Sequence, residues 1–210
     1  FDATECNDSI RLTFDECLNP GLINSACRNT AIACVDNSDC ASDIYEKGIC
    51  TNGNSLQASC LTEKVSLTKI EIISSTKIVN GQKLRLKYSI NNPTLNALNL
   101  ALGASYRLNG TTNDFSRPEE DAFVVIPANQ SEDFERDLTI PIERQAGKYD
   151  LLSAIWKGSN ADAFKNADNW IQGTDWQENV FEVLDAVSVS KFTPEENNIS
   201  WKTFKAHYLT

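Results

Sequence analysis

All seven cysteines of this 210-residue chain lie in its first 60 residues: Cys6, Cys17, Cys27, Cys34, Cys40, Cys50 and Cys60. That local density exceeds the roughly 8–10% that marks a disulfide scaffold. A zinc site would need cysteines in close pairs with histidine as the usual co-ligand. Here the gaps between successive cysteines are ten, nine, six, five, nine and nine residues, and the sole histidine is the distant His207. No Cys-x-x-Cys offers redox or haem chemistry. Seven is odd, so three bridges leave one thiol over, either buried or linked to another chain, and spacing does not fix the pairing. The expected compartment is extracellular or cell-surface.

Residues 1–64 therefore read as a loop-rich module. Asp36, Asn37, Ser38 and Asp39, with Lys47-Gly48 and Asn52-Gly53, supply turn chemistry. Too few apolar residues occur here to make a core, so the bridges must restrict the unfolded chain instead. The chain begins at Phe1 and contains no Met, which is the expectation for a mature chain whose leader has been removed.

From Val65 the texture changes to strict alternation. LRLKYSI puts Leu84, Leu86, Tyr88 and Ile90 on one face, and LNLALGASY does the same with Leu98, Leu100, Leu102, Ala104 and Tyr106. Period-2 patterning of this kind marks half-buried β-strands. Similar runs occur at 65–73, 122–127, 134–142, 149–156 and 179–184, separated by clusters such as NNPT, NGTTND and RQAGK. YDLLSAIW is apolar on both faces, as a central strand should be. About seven short strands without crossover helices predict an all-β, immunoglobulin-like antiparallel β-sandwich over 65–185. One helical turn is expected inside the long loop at 161–168.

GQKLRLKYSINNPT, LGASYRLNG, VVIPANQSEDFERDLTIP and AGKYDLLSAIWKG resemble the immunoglobulin-like domains called cell-adhesion-related (CARDB-like) of prokaryotic surface proteins. The matching positions are Asn91 and Asn92 at a strand end, Pro127 to Ser131 in a turn, and Gly147 to Tyr149 opening the penultimate strand. The resemblance covers residues 65–185 only. It implies an immunoglobulin-like fold and an extracellular setting, with family roles in adhesion, surface layers and spacing; it does not imply an activity.

The tail, 186–210, carries Val187, Val189 and Phe192, a TPEENN turn, then Ile199, Trp201, Phe204 and Tyr208. So aromatic a segment is expected to be buried, because each buried aromatic contributes a few kcal/mol. Two readings stay open: a hairpin on the protein's own sheet or over the Cys-rich module, and a strand exchanged between subunits. Ile10 to Phe14 is a second candidate for exchange.

Other chemistry finds less material. The net charge is −10 with no Lys/Arg cluster, which disfavours a nucleic-acid partner. No apolar run approaches the ~18 residues of a membrane span. With one histidine, Ser-His or Cys-His catalysis is not expected; the acid clusters Glu119-Glu120-Asp121 and Glu132-Asp133 read as solvated turn residues. Asn160, Asp162, Asn166 and Asp168 are weak candidates for calcium, which needs six to eight oxygens. Trp170 and Trp176, near Trp156, are candidates for stacking on sugar rings. Sequons at Asn7, Asn109, Asn129 and Asn198 are glycosylation candidates. The expectation is a secreted, non-enzymatic structural subunit of an extracellular or cell-surface assembly such as a filament, whose partners are copies of itself or other surface proteins. The alternative is a monomeric carbohydrate-binding or adhesion module.

Overall fold

A segment rich in turn formers and poor in aliphatics folds only where covalent links hold it, and residues 5–64 show this. The computed structural model describes residues 5–185. Strands β1 (Thr13–Leu18) and β2 (Ala26–Ala31) form one antiparallel pair, and β3 (Glu46–Thr51) and β4 (Ser59–Lys64) form another. Disulfides join Cys6 to Cys27, Cys34 to Cys50 and Cys40 to Cys60. Cys50 and Cys60 face each other across β3 and β4, yet each bonds outside the hairpin. The 34–40 segment is thereby clasped at both ends. Its 3-10 turn, Asn37–Asp39, is capped by Asp36, which accepts from the Ser38 amide. Arg11 reaches over from ahead of β1 to Asp36 (2.6 Å) and Asp39. Cys17 lies outside the three bridges; it is half-buried and directly opposite Cys27.

The alternating sequence beyond Val65 builds two packed sheets. The strands are β5 (Ser66–Ile72), β6 (Lys77–Val79), β7 (Lys83–Asn92), β8 (Leu98–Leu108), β9 (Phe115–Ser116), β10 (Ala122–Ile126), β11 (Gln130–Thr139), β12 (Gly147–Lys157), β13 (Trp170–Gly173) and β14 (Gln177–Leu184). The smaller sheet has the order β11-β7-β5; the larger has β10-β8-β12-β14-β6, with β13 added to β12 and β9 to β8. The chain enters on one sheet as β5 and switches to the other as β6, which pairs parallel with β14; the other pairs are antiparallel. This is an immunoglobulin-like sandwich.

Its core is the set that the alternation predicts. Leu84, Leu86, Tyr88 and Ile90 of β7 meet Leu98, Leu100, Leu102 and Tyr106 of β8, all essentially inaccessible. Tyr149 enters this core and donates its hydroxyl to the Gln145 carbonyl at 2.6 Å, the tyrosine-corner bond of immunoglobulin-like domains. Asn92, fully buried, ties the β7–β8 loop to the end of β10. Its amide donates to the carbonyls of Asn96 (2.8 Å) and Pro127 (2.9 Å), and its oxygen accepts from the Thr94 amide and hydroxyl.

All seven expected strands are present, as β5, β7, β8, β10, β11, β12 and β14. The expected turn in 161–168 is a pair of 3-10 turns, Ala161–Lys165 and Ala167–Asn169. The tail expected to form strands (Val187, Val189, Phe192, Ile199, Trp201, Phe204, Tyr208) and Asn198 lie outside the described residues. Of the other exchange candidate, Ile10 and Leu12 are exposed, while Thr13 and Phe14 begin β1.

Candidate functional site

The feature that distinguishes this sandwich lies on the outer face of its larger sheet. Registered partners in antiparallel strands carry their side chains on the same face. Phe123 is opposite Ala101, Ala101 opposite Trp156, and Trp156 opposite Trp170. One row thus crosses β10, β8, β12 and β13, pointing away from the core that Leu100, Leu102 and Ile155 fill from the same strands. The adjacent row is Gly103, Ala154 and Gly173, a floor of small residues on which rings can lie. A Cβ at Gly103 would come within 2.9 Å of Trp156 and 3.2 Å of Phe164.

Phe164 reaches this face from the Ala161–Lys165 turn. It lies 4.8 Å from the Trp156 ring at 70° and 6.2 Å from Phe123 at 54°. Trp170 is 53% exposed and Phe123 41%; Trp156 and Phe164 are half-buried. The turn is held by its own polar side chains. Asn160 accepts from the Asp162 amide, Asn166 accepts from the Asp168 amide, and Asp162 pairs with Lys165. The oxygens singled out as calcium candidates in Asn160, Asp162 and Asn166 are thus engaged in capping and pairing. Behind the turn, a cleft of about 400 Å3 is lined by Tyr45, Lys157, Ser159, Asn160, Asp162 and Asn169.

Strand β10 forms one edge of this sheet and pairs only with β8. Edge strands usually carry lysine, proline or a bulge that blocks further pairing. The residues of β10 are Ala-Phe-Val-Val-Ile, and Val125 is 57% exposed.

Trp176, the other stacking candidate, belongs to a separate network. The Arg107 guanidinium covers its ring at 4.2 Å. Arg107 also pairs at 3.2 Å with buried Asp150, which accepts from the Asn109 side-chain amide (2.9 Å) and the Asn179 backbone (3.0 Å). Burial opposes ionisation of Asp150, but these donors outweigh it and hold the carboxyl below its ordinary range. Sequon residue Asn109 is therefore exposed yet tied to the sandwich. Asn129 is exposed in a turn at a φ of 54°, and Asn7 is exposed.

The acid clusters divide: Glu119 and Asp133 stay exposed, as expected, whereas Glu120 and Asp121 are built into the fold rather than solvated. Glu120 accepts from the Thr139 amide at 2.6 Å, Glu119 pairs with Arg117 at 2.8 Å, and Asp133 accepts from the Ser89 hydroxyl at 2.5 Å. Asp121 lies 3.0 Å from Arg136, whose side chain is 1% exposed. None of the guanidinium nitrogens has an aligned hydrogen bond, so proximity rather than bonding neutralises this charge. Burial pushes Asp121 up to about 6, with Arg136 opposing and Glu119 and Glu120 adding to the rise. The polar cluster opens to a cleft of about 510 Å3 lined also by Arg85, Glu135 and Asp137. Sequence reasoning missed Arg136, because on β11 its spacing fits the inward face but its residue type does not.

These features define an all-β, disulfide-stapled chain with an immunoglobulin-like sandwich. Its three bridges indicate an oxidising, extracytoplasmic environment. Among the described residues no helix is long and apolar enough to cross a membrane. No family model matches the chain, and no curated protein matches it. Among solved structures it is similar to a β-glucosidase from Erythrobacter marinus, with a TM-score of 0.39 and 11% identity, covering 58% of this chain and 15% of that one. A β-glucosidase from Listeria innocua in complex with glucose gives 0.35 and 11%, covering 60% and 16%. The chain thus spans about a sixth of the length of these enzymes, and at such scores the likeness carries no argument about fold or activity.

Proposed function

We propose that this chain is a non-enzymatic structural subunit of an extracellular or cell-surface assembly, built by strand addition between copies. The observation that carries this reading is the unguarded edge of β10. Its backbone donors and acceptors on one side lack a strand partner among the described residues, its composition is wholly apolar, and Val125 stands exposed. Such an edge is a template for an incoming strand, with ladder bonds giving affinity and alternate side chains giving specificity. The donor is the alternating segment 186–210 of the next copy. The disulfides keep each unit folded outside the cell. The resemblance to cell-adhesion-related domains agrees with this role, and the absence of a basic cluster from the sequence agrees with a partner other than nucleic acid.

Light scattering on the non-reduced full chain at micromolar concentration tests it. Masses well above 23.3 kDa are expected, returning to one subunit on deletion of 187–210 and on Val125→Lys. A wild-type mass of one subunit sinks the assembly. The second reading, a monomeric carbohydrate-binding or adhesion module, is favoured by the aromatic row.

A further inference from the structure

We infer that the outer face of the larger sheet binds a neutral oligosaccharide, with Phe123, Phe164, Trp156 and Trp170 as its stacking surface. This deepens the second reading and does not depend on assembly. Three observations fix the ligand's chemistry.

First, the rings at the two ends of the row are presented rather than packed away. Aromatic side chains in a sandwich usually bury their faces, yet this row sits opposite the core on a floor of Gly103, Ala154 and Gly173, with Trp170 and Phe123 about half open. With strands ~4.8 Å apart, the row from Phe123 to Trp170 extends over roughly 15 Å, a length suited to a chain of sugars rather than one. A pyranose ring offers an apolar face of C–H groups to such rings and a rim of hydroxyls to polar groups.

Second, the rings are stepped. The 54° and 70° tilts about Phe164 make a strip that a single twisting glycan follows and a flat crystalline surface does not.

Third, the turn that carries Phe164 also carries polar groups that suit hydroxyls. The cleft behind the Phe164 turn carries Ser159, Asn160, Asp162 and Asn169. Asn160 uses its Oδ1 in capping and Asn169 its Nδ2 in a bond to the Ala163 carbonyl. The other half of each amide is left for a hydroxyl among the described residues. Lys157, the one cation lining the cleft, faces the Tyr45 ring at 4.9 Å, and the chain carries a net charge of −10. Charge thus disfavours acidic glycans.

Isothermal titration calorimetry on the non-reduced full chain tests the site. The probes are oligosaccharides of β-1,4-glucose, β-1,3-glucose, β-1,4-mannose and N-acetylglucosamine, with oligogalacturonate as the acidic control. At least one neutral probe is expected to bind and change tryptophan fluorescence, and the acidic one not to. Trp170→Ala and Phe123→Ala should each weaken binding about tenfold, as expected for loss of one stacking contact. Trp170→Phe should retain most of the affinity, and Trp176→Ala should bind like the parent. Trp170 and Phe123 are exposed, so these variants should fold; their thermal midpoints check this. The assignment is overturned if no neutral probe binds, or if both alanine variants bind like the parent. It is also overturned if Phe123→Ala lowers the particle mass while no sugar binds, because the face then serves copies of the chain. Loss of assembly in Val125→Lys with sugar binding intact would separate the two sites.

Discussion

The Cys-rich module and the sandwich solve the same problem by different means. In residues 5–64 the buried positions are three half-cystines, Cys6, Cys34 and Cys40, and the backbone at Gly48, while Ile10, Leu22, Ile23, Ile44 and Leu61 remain exposed. In residues 65–184 one cluster of leucine, isoleucine, valine, tyrosine and phenylalanine fills the space between sheets. A short segment cannot bury enough apolar surface to offset its conformational entropy, so cross-links take the place of the core. The longer segment can, and contains no cysteine.

Reduction should therefore break one region and spare the other, and this is the largest effect to expect. The bridges close loops separated by 21, 16 and 20 residues, each worth about 3 kcal/mol if loop entropy dominates. Hydrogen exchange with and without a phosphine reductant should show amides of β1 to β4 losing protection while those of β7, β8 and β12 keep theirs. Loss of protection throughout would mean that the sandwich leans on the module, and the comparison would fail.

Removing apolar volume sharpens the contrast from the other side. Leu100, wholly inaccessible between the sheets, should cost about 2–5 kcal/mol on truncation to alanine. Leu61, 55% exposed on β4, should cost within about 0.5 kcal/mol. Urea midpoints of the two variants read this directly. A Leu61→Ala loss comparable to Leu100→Ala would show that the module has an apolar contact beyond the described residues.

The two regions also differed in how far their sequences could be read. Alternation exposed the sandwich because a half-buried strand imposes a period of two on its residues, as Leu84 to Ile90 show. Strand β6 escaped, being three residues long and defined by its parallel pairing to β14 rather than by its own pattern. The module's four strands escaped for the opposite reason: with no core to face, β2 and β4 have no inward residues to alternate. Of the site, Trp170 was legible as an aromatic in loop-like sequence. Its partners Phe123 and Phe164 were not, because only register brings β10, β8, β12 and β13 into one row. Trp176 looked equivalent in sequence, and Arg107 from another strand distinguishes it.

The effect of pH takes opposite signs in the two regions. In the module, Asp36 accepts from the Ser38 hydroxyl and amide and from Arg11, which hold it down to about 2. In the sandwich, burial lifts Asp121 to about 6 despite Arg136. A lowered carboxyl stabilises the folded state above its unfolded pKa and loses that contribution as pH falls through the folded value. A raised one binds its proton more tightly in the folded state, so its contribution is complete below the ordinary aspartate range and is lost as pH rises through about 6. Between pH 4 and 7 the Asp121 contribution should therefore decline with rising pH, by about 1 kcal/mol once solvent screening at its cleft is allowed for, while Asp36 stays ionised throughout. Between pH 5 and 7, urea midpoints should fall less, or rise more, in Asp121→Asn than in the parent, and Asp36→Asn should leave the slope unchanged. An unchanged slope in Asp121→Asn would mean that Arg136 neutralises Asp121 more fully than its unaligned 3.0 Å approach implies.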